Sequence, residues 1–263
     1  MALLASVSAY LRLNAAGVGC VPWPACYQEQ SVAAERQHHP VARLTHRVLA
    51  AGLGILVVVV VFAAVAMRPR RPVLLWTALL VLASTVILAG LGRVTPTATG
   101  AGVAAANLLG GMGLAALLWW LALHATRGPE RVPQYPQWPA VAMLALVLAQ
   151  LSLGAIINTT RATLACPTLP LCASIGSDMP EALHVAHRLT AAALLAAAGI
   201  LVAIHVRRGG RALRATLALA ALVLIQGGSG AMMVALGFPL WLTLAHHAGA
   251  LLLLLAAVSV LAG

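Results

Sequence analysis

The sequence contains no lysine and only five acidic residues, so charged side chains are scarce. Charged residues make up 8% of the 263 positions, whereas 62% are hydrophobic, and the mean hydropathy is +0.98. A soluble domain could not bury this much apolar surface in one core. The composition therefore excludes a soluble globular class and predicts an integral membrane protein.

Apolar runs, each near the ~20 residues that a bilayer core requires, predict an all-α membrane protein with eight transmembrane helices. Arg12 and Asn14 interrupt the first run, which begins almost at Met1, so we interpret it as a short or truncated span. A cleaved signal peptide is the competing interpretation, but no Ala-x-Ala-type site before a soluble domain follows. The runs lie near residues 2–18, 44–67, 73–92, 103–124, 138–158, 183–205, 213–236 and 239–262.

The net charge of +11 comes from arginines that lie mainly in the predicted loops. This placement argues against a nucleic-acid partner and instead orients the protein by the positive-inside rule. The loops after predicted helices 2, 4 and 6 are expected to be cytoplasmic, so the cysteine-containing loops face outward across the inner (plasma) membrane. The arginines of these cytoplasmic loops are Arg68, Arg70, Arg71, Arg127, Arg131, Arg207, Arg208, Arg211 and Arg214.

Two stretches of the chain repeat one pattern. Each contains two cysteines separated by five residues, in Cys20–Cys26 and Cys166–Cys172, and each precedes a His-Arg pair that opens an apolar helix. The pairs are His46-Arg47 and His187-Arg188. Such internal repetition predicts a doubled membrane unit.

The doubled pattern predicts two repeated four-helix bundles, an N-terminal one over residues 1–130 and a C-terminal one over residues 131–263. Each cysteine loop is expected to hold a disulfide, Cys20 to Cys26 and Cys166 to Cys172, because an oxidising exterior permits such bonds. Zinc is the weaker alternative, since its sites favour closer cysteine spacing and four ligands in one place. A redox role in thiol exchange remains a further alternative.

The histidines at the outer helix ends carry the chemistry that the sequence suggests. His46, His187 and the His246-His247 pair lie among small apolar residues, where an ionisable group at membrane depth is costly and usually functional. A lone histidine of this kind is more often a satisfied core residue. However, helices 6 and 8 enter from the same face, so His187 and His246 can close on one planar group, as in low-spin haem proteins. Arg188 would then stand where haem propionates emerge.

A transporter is a further class that doubled bundles allow. Transporters of that kind usually have broken helices and polar groups near the membrane midplane. Here the polar residues gather at the outer helix ends, which disfavours transport.

The chain resembles the haem A synthase family, eight-helix membrane enzymes that oxidise a methyl group of haem O to a formyl group. Matching stretches are the motifs around Cys166–Cys172, His187-Arg188 and Pro239-Leu240-Trp241 with His246, and the echoes around Tyr10, Cys20–Cys26 and His46-Arg47 are weaker. The resemblance implies that His187 and His246 are axial ligands of a haem b cofactor in the C-terminal half. It implies that haem O is processed in the N-terminal half, with His46 as catalytic iron ligand and Arg47 as a haem-binding residue.

The N-terminal half departs from the family pattern at two positions. Arg43 stands where the family has a glutamate, and Asn107 aligns with His246 although an amide cannot replace imidazole as a strong iron ligand. One interpretation is that His46 alone binds the substrate haem and leaves an open iron position for oxygen chemistry. The alternative is a non-catalytic haem-binding paralogue in oxidase assembly or electron transfer. The nearest acid to the first site would be Glu35, in the loop.

The resemblance also implies a set of partners. Besides membrane lipid, we expect a haem O synthase, cytochrome oxidase assembly factors and an electron donor that the sequence does not identify. A homo-oligomer is compatible with the sequence.

Overall fold

The computed structural model describes residues 1–15, 18, 23, 25, 27, 39–67, 69, 71–94, 100–126, 137–172, 178–207 and 209–262. Over this part of the chain the regular structure is helical, with eight long segments and no strand. The helices are α1 (Ala2–Ala15), α2 (Pro40–Ala66), α3 (Pro72–Val94), α4 (Ala101–Thr126), α5 (Trp138–Thr159), α6 (Met179–Val206), α7 (Gly210–Ala235) and α8 (Leu240–Leu261).

The all-α class and the membrane location are confirmed. The seven helices α2 to α8 are long and apolar enough to cross a membrane. Many of their large apolar side chains are exposed on the outside of the bundle, among them Ile55, Phe62, Ile87, Ile200 and Leu224. In a bilayer these side chains contact lipid, so the protein is a multi-pass membrane protein.

The first helix is short, as its interrupted sequence predicts. It has 14 residues and ends at Ala15, whereas the apolar run suggested a span to residue 18. The backbone N–H of Val18 donates to the Leu13 carbonyl at 2.9 Å, so Val18 does not continue the i to i−4 bonding of the helix. A helix of this length rises only about 21 Å, less than a hydrocarbon core of ~30 Å.

Proline begins several of the long helices. Pro40 and Pro72 are the first residues of α2 and α3, and Pro139 and Pro180 occupy the first turns of α5 and α6. These positions suit proline because the first N–H groups of a helix have no intrahelical acceptor. The helix starts therefore lie slightly earlier than hydropathy alone predicted for α2 and α6.

The C-terminal helices pack as a closed ring. Helix α5 packs on α6, α6 on α7, α7 on α8, and α8 back on α5. Buried apolar side chains from all four fill its centre, including Met143, Val147, Leu194, Leu219 and Leu254. The ring contains the helices assigned to the predicted C-terminal bundle. The connection over residues 127–136 lies outside the described residues, so the two-bundle arrangement and its domain limits stay predictions.

Helix α8 also packs against the N-terminal part of the chain. It contacts α1 and α4, while α1 packs on α2, α2 on α3 and α3 on α4. The Trp23 indole N–H donates to the Gly237 carbonyl at 2.6 Å, just before α8 begins. Leu13 and Val18 are buried beside Leu240. The start of α8 therefore packs against both the C-terminal ring and the N-terminal part of the chain.

Candidate functional site

A cavity of about 530 Å³ lies inside the ring of α5 to α8. It is at the end of the bundle that carries the α5–α6 connection and the α7–α8 turn, which we call the cysteine-loop end. A volume of this size is typical of small-molecule and cofactor sites. Its walls are largely apolar, and its polar lining includes Gln150, Asn158, His187, Arg188, His246 and His247.

His246 is held with its Nε2 atom available. The Ser229 hydroxyl donates to the Gln226 carbonyl at 3.0 Å, so its oxygen accepts from His246 Nδ1–H at 2.9 Å. This tautomer leaves the lone pair on Nε2. The Gln226 amide also donates to the His246 carbonyl at 3.0 Å, which fixes the backbone of the same residue. An imidazole oriented through Nδ1–H is the usual arrangement of a metal-ligating histidine.

His187 uses its Nε2 atom as a hydrogen-bond acceptor instead. The Gln150 amide nitrogen lies 3.1 Å from His187 Nε2, and because an amide NH₂ only donates, Nε2 is the acceptor. His187 and His246 lie close enough to interact electrostatically. The cavity therefore brings two imidazoles from α6 and α8 to one space, where His246 Nε2 is available and His187 Nε2 accepts from Gln150.

Each of these imidazoles packs against a glycine of the preceding helix. A Cβ atom added at Gly154 of α5 would lie 3.3 Å from His187 Cε1, and one at Gly230 of α7 would lie 3.4 Å from His246 Cε1. Both distances are short for non-bonded carbon atoms. The two glycines thus provide the space that the rings occupy.

Two buried polar atoms at the cavity have no hydrogen-bond partner among the described residues. They are Gln150 Oε1 and His187 Nδ1. Buried polar atoms are nearly always satisfied in native proteins, so such exceptions mark places where a ligand or water completes the network. The donor set of two imidazoles in an apolar space fits a haem iron.

The α5–α6 loop closes one side of the cavity. Cys166 and Cys172 form a disulfide, with an S–S distance of 2.09 Å, and Leu169 and Pro170 between them line the cavity. The sequence suggested a propionate partner in Arg188. In the structure its guanidinium donates to three loop carbonyls, those of Cys166, Thr168 and Pro170, at 2.8–3.0 Å.

His184 strengthens the same attachment one helical turn earlier. Its Nε2–H donates to the Ala162 carbonyl at 2.8 Å, and the side chain is buried. Asp178 caps α6 by accepting from the Glu181 N–H at 2.9 Å. The first turns of α6 therefore hold the loop over the cavity, and any contact of Arg188 with a ligand adds to this anchoring.

The N-terminal candidate residues lie apart from this cavity. His46 is half-buried near the start of α2, and Arg12 of α1 is close enough to act on it electrostatically. Arg47 and Arg43 are exposed on α2, and Asn107 is half-buried on α4. Cys20 and Cys26 lie outside the described residues, so their disulfide stays a prediction.

Sequence reasoning missed three residues that position the histidines. Gln150, Gln226 and Ser229 are polar side chains within long apolar helices, and each contacts His187 or His246. Polar residues at membrane depth are a functional signal in themselves. Their spacing alone, however, did not reveal which histidine each of them faces.

Comparison with known proteins gives the family. Residues 1–258 match the COX15-CtaA model, described as a cytochrome oxidase assembly protein. The chain belongs to the COX15-CtaA family. This membership confirms the resemblance that the sequence motifs indicated.

Two curated relatives in this family carry the name "Heme A synthase". The relative from Shewanella oneidensis is 29% identical, over 98% of this chain and 91% of its own length. The relative from Methylobacterium nodulans is 32% identical, over 57% of this chain and 47% of its own length. The first alignment includes the regions of His46, His187 and His246, since it spans nearly the whole chain.

Proposed function

We propose that this protein is a haem A synthase-type oxidoreductase that converts a methyl group of haem O into the formyl group of haem A, in cytochrome c oxidase cofactor biosynthesis. Family membership and the names of the two relatives support a role in haem A biosynthesis. The structural observation that carries the proposal is the pair of imidazoles of His187 and His246, which line one largely apolar cavity.

In this proposal His187 and His246 hold haem b. When bound there, the iron would supply a one-electron redox centre closed by two imidazoles. The chain's own contribution is orientation and exclusion of water. Ser229 holds the His246 ring, Leu169 with Pro170 covers the cavity, and Gln150 would release His187 Nε2 when haem binds. His246 is favoured over His247 because Ser229 orients its ring.

In the N-terminal half, His46 is the proposed ligand of the substrate haem and Arg47 a contact at its edge. Asn107 does not offer an imidazole, so the second axial position would stay open for oxygen chemistry. The two-bundle organisation, with substrate in the first half and cofactor in the second, is part of the same proposal. Substrate would arrive from a haem O synthase, and cytochrome oxidase assembly factors, an electron donor and a second copy of the chain are candidate partners.

We also propose that the protein lies in the plasma membrane with the cysteine-loop end outside. The arginine-rich loops at the opposite end support this orientation. We expect a membrane-impermeant maleimide to label Cys166 and Cys172 in intact cells only after reduction. If these residues are labelled only from the cytoplasmic side, the proposed orientation is wrong.

The catalytic proposal is tested by co-expressing the protein with a haem O synthase in a host that lacks its own haem A synthase. Extracted haems are then analysed by mass spectrometry. We expect the hydroxymethyl or formyl product of haem O to accumulate, as it does with an established haem A synthase in parallel. If haem O remains unchanged while the parallel enzyme converts it, the catalytic proposal is wrong.

The second candidate function is haem binding without methyl oxidation, in oxidase assembly or electron transfer. Arg43 and Asn107 favour it, because both depart from the family pattern in the half that would process substrate. The histidine-lined cavity is compatible with either function. The co-expression experiment separates them, because the paralogue would bind haem and leave haem O unaltered.

A further inference from the structure

Arg12 is a partly buried cation of α1, the helix that packs on α2 and α8. Its Nη1 donates to the Ser8 hydroxyl at 2.6 Å, while its Nε is buried and has no partner among the described residues. Burying a guanidinium donor without an acceptor is costly. The side chain therefore requires a further acceptor, and the strongest one for a guanidinium is a carboxylate or a phosphate.

Two histidines lie within electrostatic reach of Arg12. His46 of α2 and His247 of α8 are both close enough for Arg12 to act on them electrostatically. Neither carries negative charge, so neither neutralises the guanidinium. Arg12 is thus the cationic group beside the histidine that we propose as ligand of the substrate haem.

The described part of the chain offers Arg12 no acidic partner. Asp178 and Glu181 are its acidic residues, and both stand at the start of α6, where Asp178 caps the helix. Glu29 and Glu35 belong to the loop before α2 and lie outside the described residues. An acceptor for Arg12 must come either from that loop or from a bound ligand.

The internal repeat identifies the position as part of a ligand site. Arg12 stands as far before Cys20 as Asn158 stands before Cys166. Asn158 is buried and lines the histidine cavity of the C-terminal ring. From the repeat we expect the corresponding position in the N-terminal half to contact a ligand as well, but there the residue carries a charge.

From this arrangement we propose that Arg12 binds a carboxylate of the ligand taken by His46, namely a propionate of the substrate haem. The assignment rests on the proposed function for the identity of that haem. The unpartnered Nε–H supplies a charge-assisted hydrogen bond to that carboxylate. Arg12 is then a substrate-binding residue that distinguishes a haem with free carboxylates from one without them.

The test compares haem O with its dimethyl ester, in which both carboxylates are blocked. Each is titrated into the purified protein with its C-terminal haem retained, and His46→Ala provides the baseline for binding elsewhere. We expect the wild type to bind the free acid about ten- to a hundredfold more tightly than the ester, the range of one charged hydrogen bond. Arg12→Gln should lose most of this difference, and Arg12→Lys should keep part of it.

Arg93→Gln is the matched control, because Arg93 is an exposed arginine at the end of α3 and the substitution removes the same charge. It should discriminate as the wild type does. An unchanged C-terminal haem spectrum in Arg12→Gln shows that the variant is folded.

Three results would overturn the assignment. They are equal affinity of the wild type for acid and ester, undiminished discrimination in Arg12→Gln, and no His46-dependent binding of haem O. Equal affinity for acid and ester is also the result expected if the carboxylate of Glu29 or Glu35 pairs with the Arg12 guanidinium. A protein that discriminates but leaves haem O unconverted would retain Arg12 as a carboxylate site and refute only the catalytic proposal.

Discussion

Replacing either His187 or His246 with alanine should abolish the low-spin haem absorption bands of the purified protein. Each residue supplies one of the two imidazoles that line the cavity, and a methyl group cannot ligate iron. Because one remaining imidazole cannot maintain a six-coordinate low-spin iron, we expect loss of the bands in each single variant. Optical spectra and haem-to-protein ratios measure the effect.

A packing variant gives a companion to this experiment. Gly154→Val should displace the His187 ring, because even a Cβ atom there lies 3.3 Å from Cε1, and haem content should fall. Gly199→Val is the control, since no atom lies within 4 Å of a Cβ at Gly199 and the residue is exposed on α6. Wild-type bands in both His187→Ala and His246→Ala would refute the ligand assignment.

Replacing His46 with alanine should eliminate conversion of haem O while the C-terminal haem spectrum persists. His46 is half-buried near Arg12 and outside the cavity that holds His187 and His246, so its loss leaves those contacts intact. Haem extraction after co-expression measures conversion. Carbon monoxide binding to the reduced protein should fall in parallel, because an iron with one open position binds it and a bis-imidazole iron does not.

His124→Ala is the matched histidine control. His124 lies at the opposite end of the bundle, where its Nδ1 contacts the Trp120 carbonyl at 2.9 Å and Arg71 donates to its backbone. This variant should convert haem O normally. Full conversion by His46→Ala would remove His46 from the catalytic site.

Hydropathy predicted the helices well because each segment that crosses the lipid must form its own backbone hydrogen bonds and expose apolar side chains to the lipid. The shared depth of His187 and His246 followed from the same reasoning, because both open helices at one end. Helix ends were less accurate, as in α1, since the hydrogen bond from Val18 to Leu13 depends on a turn that hydropathy does not record.

The contacts within the site could not be predicted in the same way. Whether Ser229 contacts His246, or Gln150 contacts His187, depends on how each helix is rotated about its axis relative to its neighbour. The spacing of residues in a single sequence does not give this rotation. Arg188 shows the same limit. Its charge suggested a carboxylate partner, but the fold brings three loop carbonyls within its reach.

Helix α8 packs against both the C-terminal ring and the N-terminal helices, and this position has a consequence for how the two parts of the protein can evolve. His246 is hydrogen-bonded to Ser229 of α7, while the adjacent His247 is within electrostatic reach of Arg12 on α1. A substitution at this point of α8 therefore affects both the surroundings of His246 and those of Arg12. Sequence change in one half of the protein is constrained by the other half. We expect sequence change to be less constrained on α2, where Arg43 is exposed.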